Sequence, residues 1–156
     1  MDFILDNVYL LLLITAVLHF IEEYVYPGGY AARLNDVLDI VDLFTNKFQI
    51  ILINILFFGL VLFVLFEHIN YPLLSLGTVF LVFLNGMMHL FTSIKQKRYF
   101  PGLVTGVALY IPLGVITFLY APGNLDIKIM ALFLAGIFLS VPFLIILIGK
   151  PFLKKP

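Results

Sequence analysis

No cysteine and no tryptophan occur among the 156 residues of this chain, and charged side chains are few. Without cysteine, thiolate metal sites, disulfides and thiol nucleophiles are excluded, and the redox compartment leaves no trace in the sequence. Without tryptophan, any aromatic belt at a membrane interface has to come from the 8 Tyr and 17 Phe. Only 12% of residues are charged, against roughly a quarter in an ordinary soluble domain. So few charges cannot cover a water-facing surface. Nine basic and nine acidic residues cancel, so nothing points to nucleic acid as a partner and none is expected.

What the chain does have is hydrophobic sequence: 63% of its residues, with a mean hydropathy of +1.14. Runs of about 17–25 mainly apolar residues are long enough to cross a bilayer as helices. Five are present, at roughly 7–24, 48–66, 72–94, 101–120 and 126–148. The expected fold is all-α: a single membrane-embedded helical domain over residues 1–156, multi-pass in the cell membrane, with membrane lipids around it. A homo-oligomer is compatible with this. The first run lacks the positive start of a signal peptide, carrying Asp2 and Asp6 instead, and ends in His, Glu, Glu and Tyr. It is expected to stay in the mature protein.

The connections are unequal. Residues 25–47 form a long polar link that opens on Tyr26-Pro27-Gly28-Gly29-Tyr30, a breaker cluster. Over 32–44, Leu34, Val37, Leu38, Val41 and Phe44 recur at spacings of three and four, with Asp36, Asp39 and Asp42 on another face. That pattern predicts an amphipathic segment lying along the membrane interface. Five spans put the termini on opposite sides. Arg33, Lys47, Lys95, Lys97, Arg98, Lys150, Lys154 and Lys155 then share one side, and Lys128 stands alone on the other. Basic loops stay cytoplasmic, so the N-terminus is expected outside and the C-terminus inside.

Ionisable groups inside such runs are costly, about 2.5–3.5 kcal/mol each at mid-helix for Asp, Lys or Arg, and they mark sites by default. Yet the first run ends His19-Phe20-Ile21-Glu22-Glu23. The predicted topology brings Asn85 and His89 of the third span, and Asn54 and Thr105 of the second and fourth, to the same cytoplasmic layer. With 1.5 Å of rise per residue, His19 and His89 each lie about 8 Å from their helix ends. The outer halves are nearly pure Leu, Ile, Val and Phe. Spacings of three and four let both carboxylates share a flank with His19, while Glu22 and Glu23 diverge by about 100°. One can face the bundle while the other reaches a second helix or the interface. Asn85, four residues from His89, is expected to orient that ring. Asn54 and Asn85 also read as interhelical hydrogen-bond glue.

Lys95-Gln96-Lys97-Arg98 sets topology and meets anionic headgroups. Tyr99-Phe100-Pro101-Gly102 follows, with Pro101 expected in the first turn of the fourth helix and Gly102 permitting a close approach. As part of the site, this start brings Tyr99 and helix-start N–H groups towards the same layer.

Imidazole and carboxylate donors suit zinc, iron or manganese, which makes His19, Glu22, Glu23 and His89 candidate ligands and catalytic groups. One carboxylate would serve as general base. His19-x-x-Glu22 reverses the order found in di-iron bundles and occurs once, so a mononuclear site fits better. Asn54, Asn85, Tyr99, Gly102 and Thr105 are the candidate contacts for a lipophilic small-molecule substrate. Two alternatives stay open. One is metal-free acid–base isomerisation or cyclisation of a lipid or isoprenoid by the same groups. The other is a non-enzymatic proton or metal-ion carrier, or an accessory subunit. Against the carrier stands the outer half, where polar steps such as Thr78, Thr117 and Ser140 are few.

His19-x-x-Glu22-Glu23, then His89 on a later helix, then Tyr99-x-Pro101-Gly102 resemble, in that order, the HXXEE family of small bacterial and archaeal membrane proteins. The resemblance runs from His19 to Gly102 and leaves the fifth helix uncovered. The family has no assigned activity. The resemblance therefore implies which residues matter and is silent about what they do.

Overall fold

The computed structural model describes residues 7–25, 34–35 and 45–149. Five helices, α1 Val8–Val25, α2 Lys47–Glu67, α3 Pro72–Gln96, α4 Leu103–Tyr120 and α5 Leu125–Gly149, are each long and apolar enough to cross a membrane. No strand occurs among the described residues. The ends fall close to those expected because the apolar runs themselves set the lengths. The amphipathic segment expected over 32–44 lies outside the described residues except for Leu34 and Asn35.

Local chemistry fixes the helix ends nearest the polar layer. Asn46 caps α2 by accepting from Gln49 N at 2.9 Å, and Gln49 Oε1 accepts from Asn46 N at 3.1 Å. Such reciprocal capping satisfies two otherwise orphaned N–H groups. Gln49 Nε2 also donates to Ile145 O at 3.1 Å, tying the start of α2 to the end of α5. At the end of α3, Lys97 takes a left-handed conformation (φ 53°). Lys97 N and Arg98 N there return to Ile94 O and Ser93 O, each at 3.2 Å. Phe100 N then donates to the buried Ser93 Oγ at 3.1 Å and folds the turn back onto α3.

This turn corrects one expectation. Pro101 is not in the first turn of the fourth helix: α4 begins at Leu103, with Gly102 as its N-cap at φ 90°. A second departure lies inside α4, where Gly106–Tyr110 form one widened π-turn and Ile111 N–H reaches back to Gly106 O. Pro112 explains its position. It has no N–H for the carbonyl four residues earlier, its ring would crowd that carbonyl, and a wider turn just upstream accommodates both problems.

α3 is the most buried helix of the bundle. At Gly86 the backbones of α3 and α4 touch, for a Cβ there would stand 2.9 Å from Gly106 O and 3.1 Å from Tyr110 Cβ. One apolar cluster, including Leu12, Val61, Val79 and Tyr110, joins α1, α2, α3 and α4. A second, with Leu76, Phe80, Ala131 and Ala135, joins α3 to α5. Outward-facing Ile14, Ile55, Phe66 and Phe133 leave a surface suited to hydrocarbon rather than water.

Candidate metal centre

The last turns of α1 carry His19 and Glu23 to its inner face, where both are buried. His89, fully buried on α3, faces them. Glu23 Oε1 lies 3.4 Å from His19 Nε2 and 3.4 Å from His89 Nε2. One donor atom from each residue lies within 4.8 Å of the other two, so the group could hold a metal ion. Zinc bonds of about 2.0–2.2 Å imply tetrahedral donor–donor edges of about 3.3–3.6 Å. Both edges from Glu23 have that length.

Glu22 is placed differently. Its Oε1 accepts from the Tyr99 hydroxyl, from Gly102 N at 3.1 Å and from Val104 N at 3.0 Å. Its Oε2 accepts from Thr105 N at 2.7 Å and Thr105 Oγ1 at 2.5 Å. Every partner donates, an arrangement suited to an ionised carboxylate. Three of the donors are the free N–H groups at the start of α4, where the helix dipole also favours negative charge. Glu22, expected among the metal ligands, is therefore absent from the His19–Glu23–His89 group. It caps a helix instead.

It still reaches the group through one hydroxyl. Thr105 Oγ1 lies 2.8 Å from His19 Nδ1. Its single proton points to Glu22, so the proton on that contact must come from Nδ1, which assigns the tautomer by the network. Nε2 then carries the lone pair and accepts from Asn85 Nδ2, with Glu23 Oε1 3.4 Å away. A metal-ligating histidine usually donates its other N–H directly to a carboxylate, a carbonyl or a water; here the Thr105 hydroxyl, itself bonded to Glu22, takes that place. Asn85 Nδ2 sits 3.3 Å from His19 Nε2, so Asn85 attends His19 and not, as expected, His89.

Gly102 is wedged between the two rings. A Cβ there would stand 2.7 Å from His19 Cε1, 2.7 Å from His89 Cε1 and 2.8 Å from His89 Nδ1. Its positive φ and this contact both demand glycine. Tyr99, Gly102 and Thr105, expected as substrate contacts, instead build the cradle of Glu22.

Beside His19 and Glu23 lies a cavity of about 350 Å³ bounded by α1, α2, α3 and α5, with Tyr110 from α4, within the ~300–1,000 Å³ of typical ligand sites. Its polar side chains among the described residues are His19, Glu23, Asn54, Asn85, Thr92 and Tyr110, and the rest of its described lining is apolar. Asn54 and Asn85 thus do face it, although Asn54 Nδ2 also donates to Tyr24 Oη at 2.8 Å. Tyr110 was not foreseen from the sequence. It is fully buried, lies on His19 with ring centroids 4.4 Å apart, and its hydroxyl has no partner among the described residues. Such an orphan costs about 1–3 kcal/mol. The available signal was Pro112, which foretells a disturbed helix but not which side chain it turns inward.

A family model described as a protein of unknown function with HXXEE motif matches residues 10–117. No curated protein and no solved structure matches the chain.

Proposed function

The chain belongs to the HXXEE family, whose function is unknown, and we propose that His19, Glu23 and His89 bind one metal ion for chemistry on a lipophilic substrate. The carrying observation is the buried Glu23 carboxylate, 3.4 Å from each of two imidazole nitrogens. Three protein ligands, two of them (His19 and Glu23) on the wall of a cavity, match a catalytic zinc site, which keeps one position open. Two imidazoles and one carboxylate suit zinc, and iron or manganese as well. When bound, zinc supplies Lewis acidity and an activated water. The chain's own part is positional: Glu22 and Thr105 hold the His19 tautomer, Gly102 packs both rings, and the apolar cavity excludes bulk water.

The reading extends to topology. Lys47, Lys95, Lys97 and Arg98 flank the end of the bundle that carries the site, while Lys128 lies at the other end. This supports a site in the cytoplasmic leaflet of the cell membrane, with the N-terminus outside. The cysteine-free background allows a direct check: Lys97→Cys should resist an impermeant maleimide on intact cells. Labelling from outside would reverse the assignment.

A second reading, metal-free acid–base catalysis on a lipid or isoprenoid, draws on Tyr110, whose unpartnered hydroxyl and Glu23 put two protonic groups on one cavity. Elemental analysis of the purified protein separates the two. Near-stoichiometric metal that is lost in His19→Ala and in His89→Ala is expected. Folded wild-type protein that neither retains nor takes up zinc, iron or manganese would overturn the metal reading in favour of the second.

A further inference from the structure

Tyr110 takes no part in cradling Glu22, yet its place is specified by several features. It ends the π-turn Gly106–Tyr110, its ring lies on His19, and its Cβ is pressed against Gly86. The phenol is fully buried and lines the cavity, and its hydroxyl finds no acceptor among the described residues. A buried donor left open beside a cavity is satisfied when the cavity is filled by something that accepts.

The lining describes that occupant. Among the described residues it contains no Lys or Arg, and in metal-free protein the Glu23 carboxylate in its wall disfavours an anionic head. Phosphate and carboxylate lipids are therefore poor fits. Phe57, Phe58, Phe138 and Phe143 line the remainder together with aliphatic side chains, which suits hydrocarbon.

We propose that Tyr110 Oη is the head-group contact for an uncharged long-chain alcohol or carbonyl lipid, donating a hydrogen bond to its oxygen while the chain lies between α2 and α5. This rests on the lipophilic-substrate part of the proposed function and not on the metal.

The test uses the full chain in detergent and a hexadecanol carrying a photoreactive diazirine. Matched probes are the corresponding hydrocarbon and the corresponding fatty acid. Labelling by the alcohol should saturate, be displaced by plain hexadecanol, and map to cavity residues of α2 or α5. Tyr110→Phe should weaken alcohol binding about tenfold, the equivalent of one buried hydrogen bond, and leave the hydrocarbon unchanged. In protein stripped of metal, the fatty acid should bind more weakly than the alcohol. Because Tyr110→Phe removes an unpaired hydroxyl and keeps the ring, the ligand-free variant should melt no lower than wild type. Equal alcohol binding by both proteins, labelling elsewhere, preference for the fatty acid, or a lowered melting temperature would each overturn the proposal. Metal content is read on the same samples. Alcohol binding through Tyr110 in protein that neither retains nor takes up metal would sink the metal reading alone, whereas metal-loaded protein indifferent to Tyr110 would sink this one alone.

Discussion

At the start of α4 the Glu22 carboxylate accepts from five donors, three of them backbone N–H groups, whereas Glu23 at the cavity wall stands 3.4 Å from two imidazole nitrogens. Adjacent in the chain, the two groups meet opposite environments. Donors that saturate a carboxylate make it a structural member, because nothing remains for a ligand to supply. A carboxylate set between two imidazole nitrogens in a largely apolar wall is a different case. A cation would complete its environment.

The substitution that should break both halves at once is Gly102→Ala. Left-handed strain and overpacking against two rings together cost at least ~3 kcal/mol. Thermal melting in detergent should fall steeply and metal content with it; a wild-type melt with full metal would show that the rings are not wedged. Next in size, Glu22→Gln should lower stability by about 2–3 kcal/mol, since an amide cannot accept from donors on both of its heavy atoms. Glu23→Gln makes the contrasting pair: it should leave the melt of metal-free protein within about 1 kcal/mol of wild type, or raise it, while abolishing metal binding. If the two variants exchange these effects, the roles assigned to the two carboxylates are reversed. The smallest change is Thr105→Val, which cuts the link between them. Metal affinity measured by chelator competition should drop about 10–100-fold, with Thr105→Ser restoring it. Unchanged affinity in Thr105→Val would show that the tautomer of His19 is set some other way.

Much of this was legible in the sequence for plain reasons. Helix lengths follow from apolar runs that hydrocarbon thickness selects, and the site announced itself through the cost of His19, Glu22 and Glu23 where they stand. The divergence of the two carboxylates follows from 3.6 residues per turn. Which of them faces the cavity does not, because α4 decides it by offering N–H groups to Glu22. The late start of α4 was hidden for a similar reason. A Pro-Gly pair suits a first helical turn as well as a preceding bend, and the choice here goes with Gly102 lodged between rings from two other helices. Asn85 was paired with the wrong histidine because spacing along one helix is visible in sequence and contact between helices is not. Tyr110 escaped because a π-turn shifts the phase of every later residue, and periodicity alone cannot register the shift.

The side chains that grip Glu22, Glu23 and the two histidines, and Tyr110 with them, lie within residues 10–117, the stretch matched by the family model. α5 lies beyond it and supplies a wall of the cavity from Phe138 to Ile146. The candidate metal ligands and this part of the cavity wall thus lie on separate lengths of chain. If the cavity holds a lipid, side chains of α5 at that wall are the ones whose exchange would change its length or width while the groups that touch His19 stay as they are.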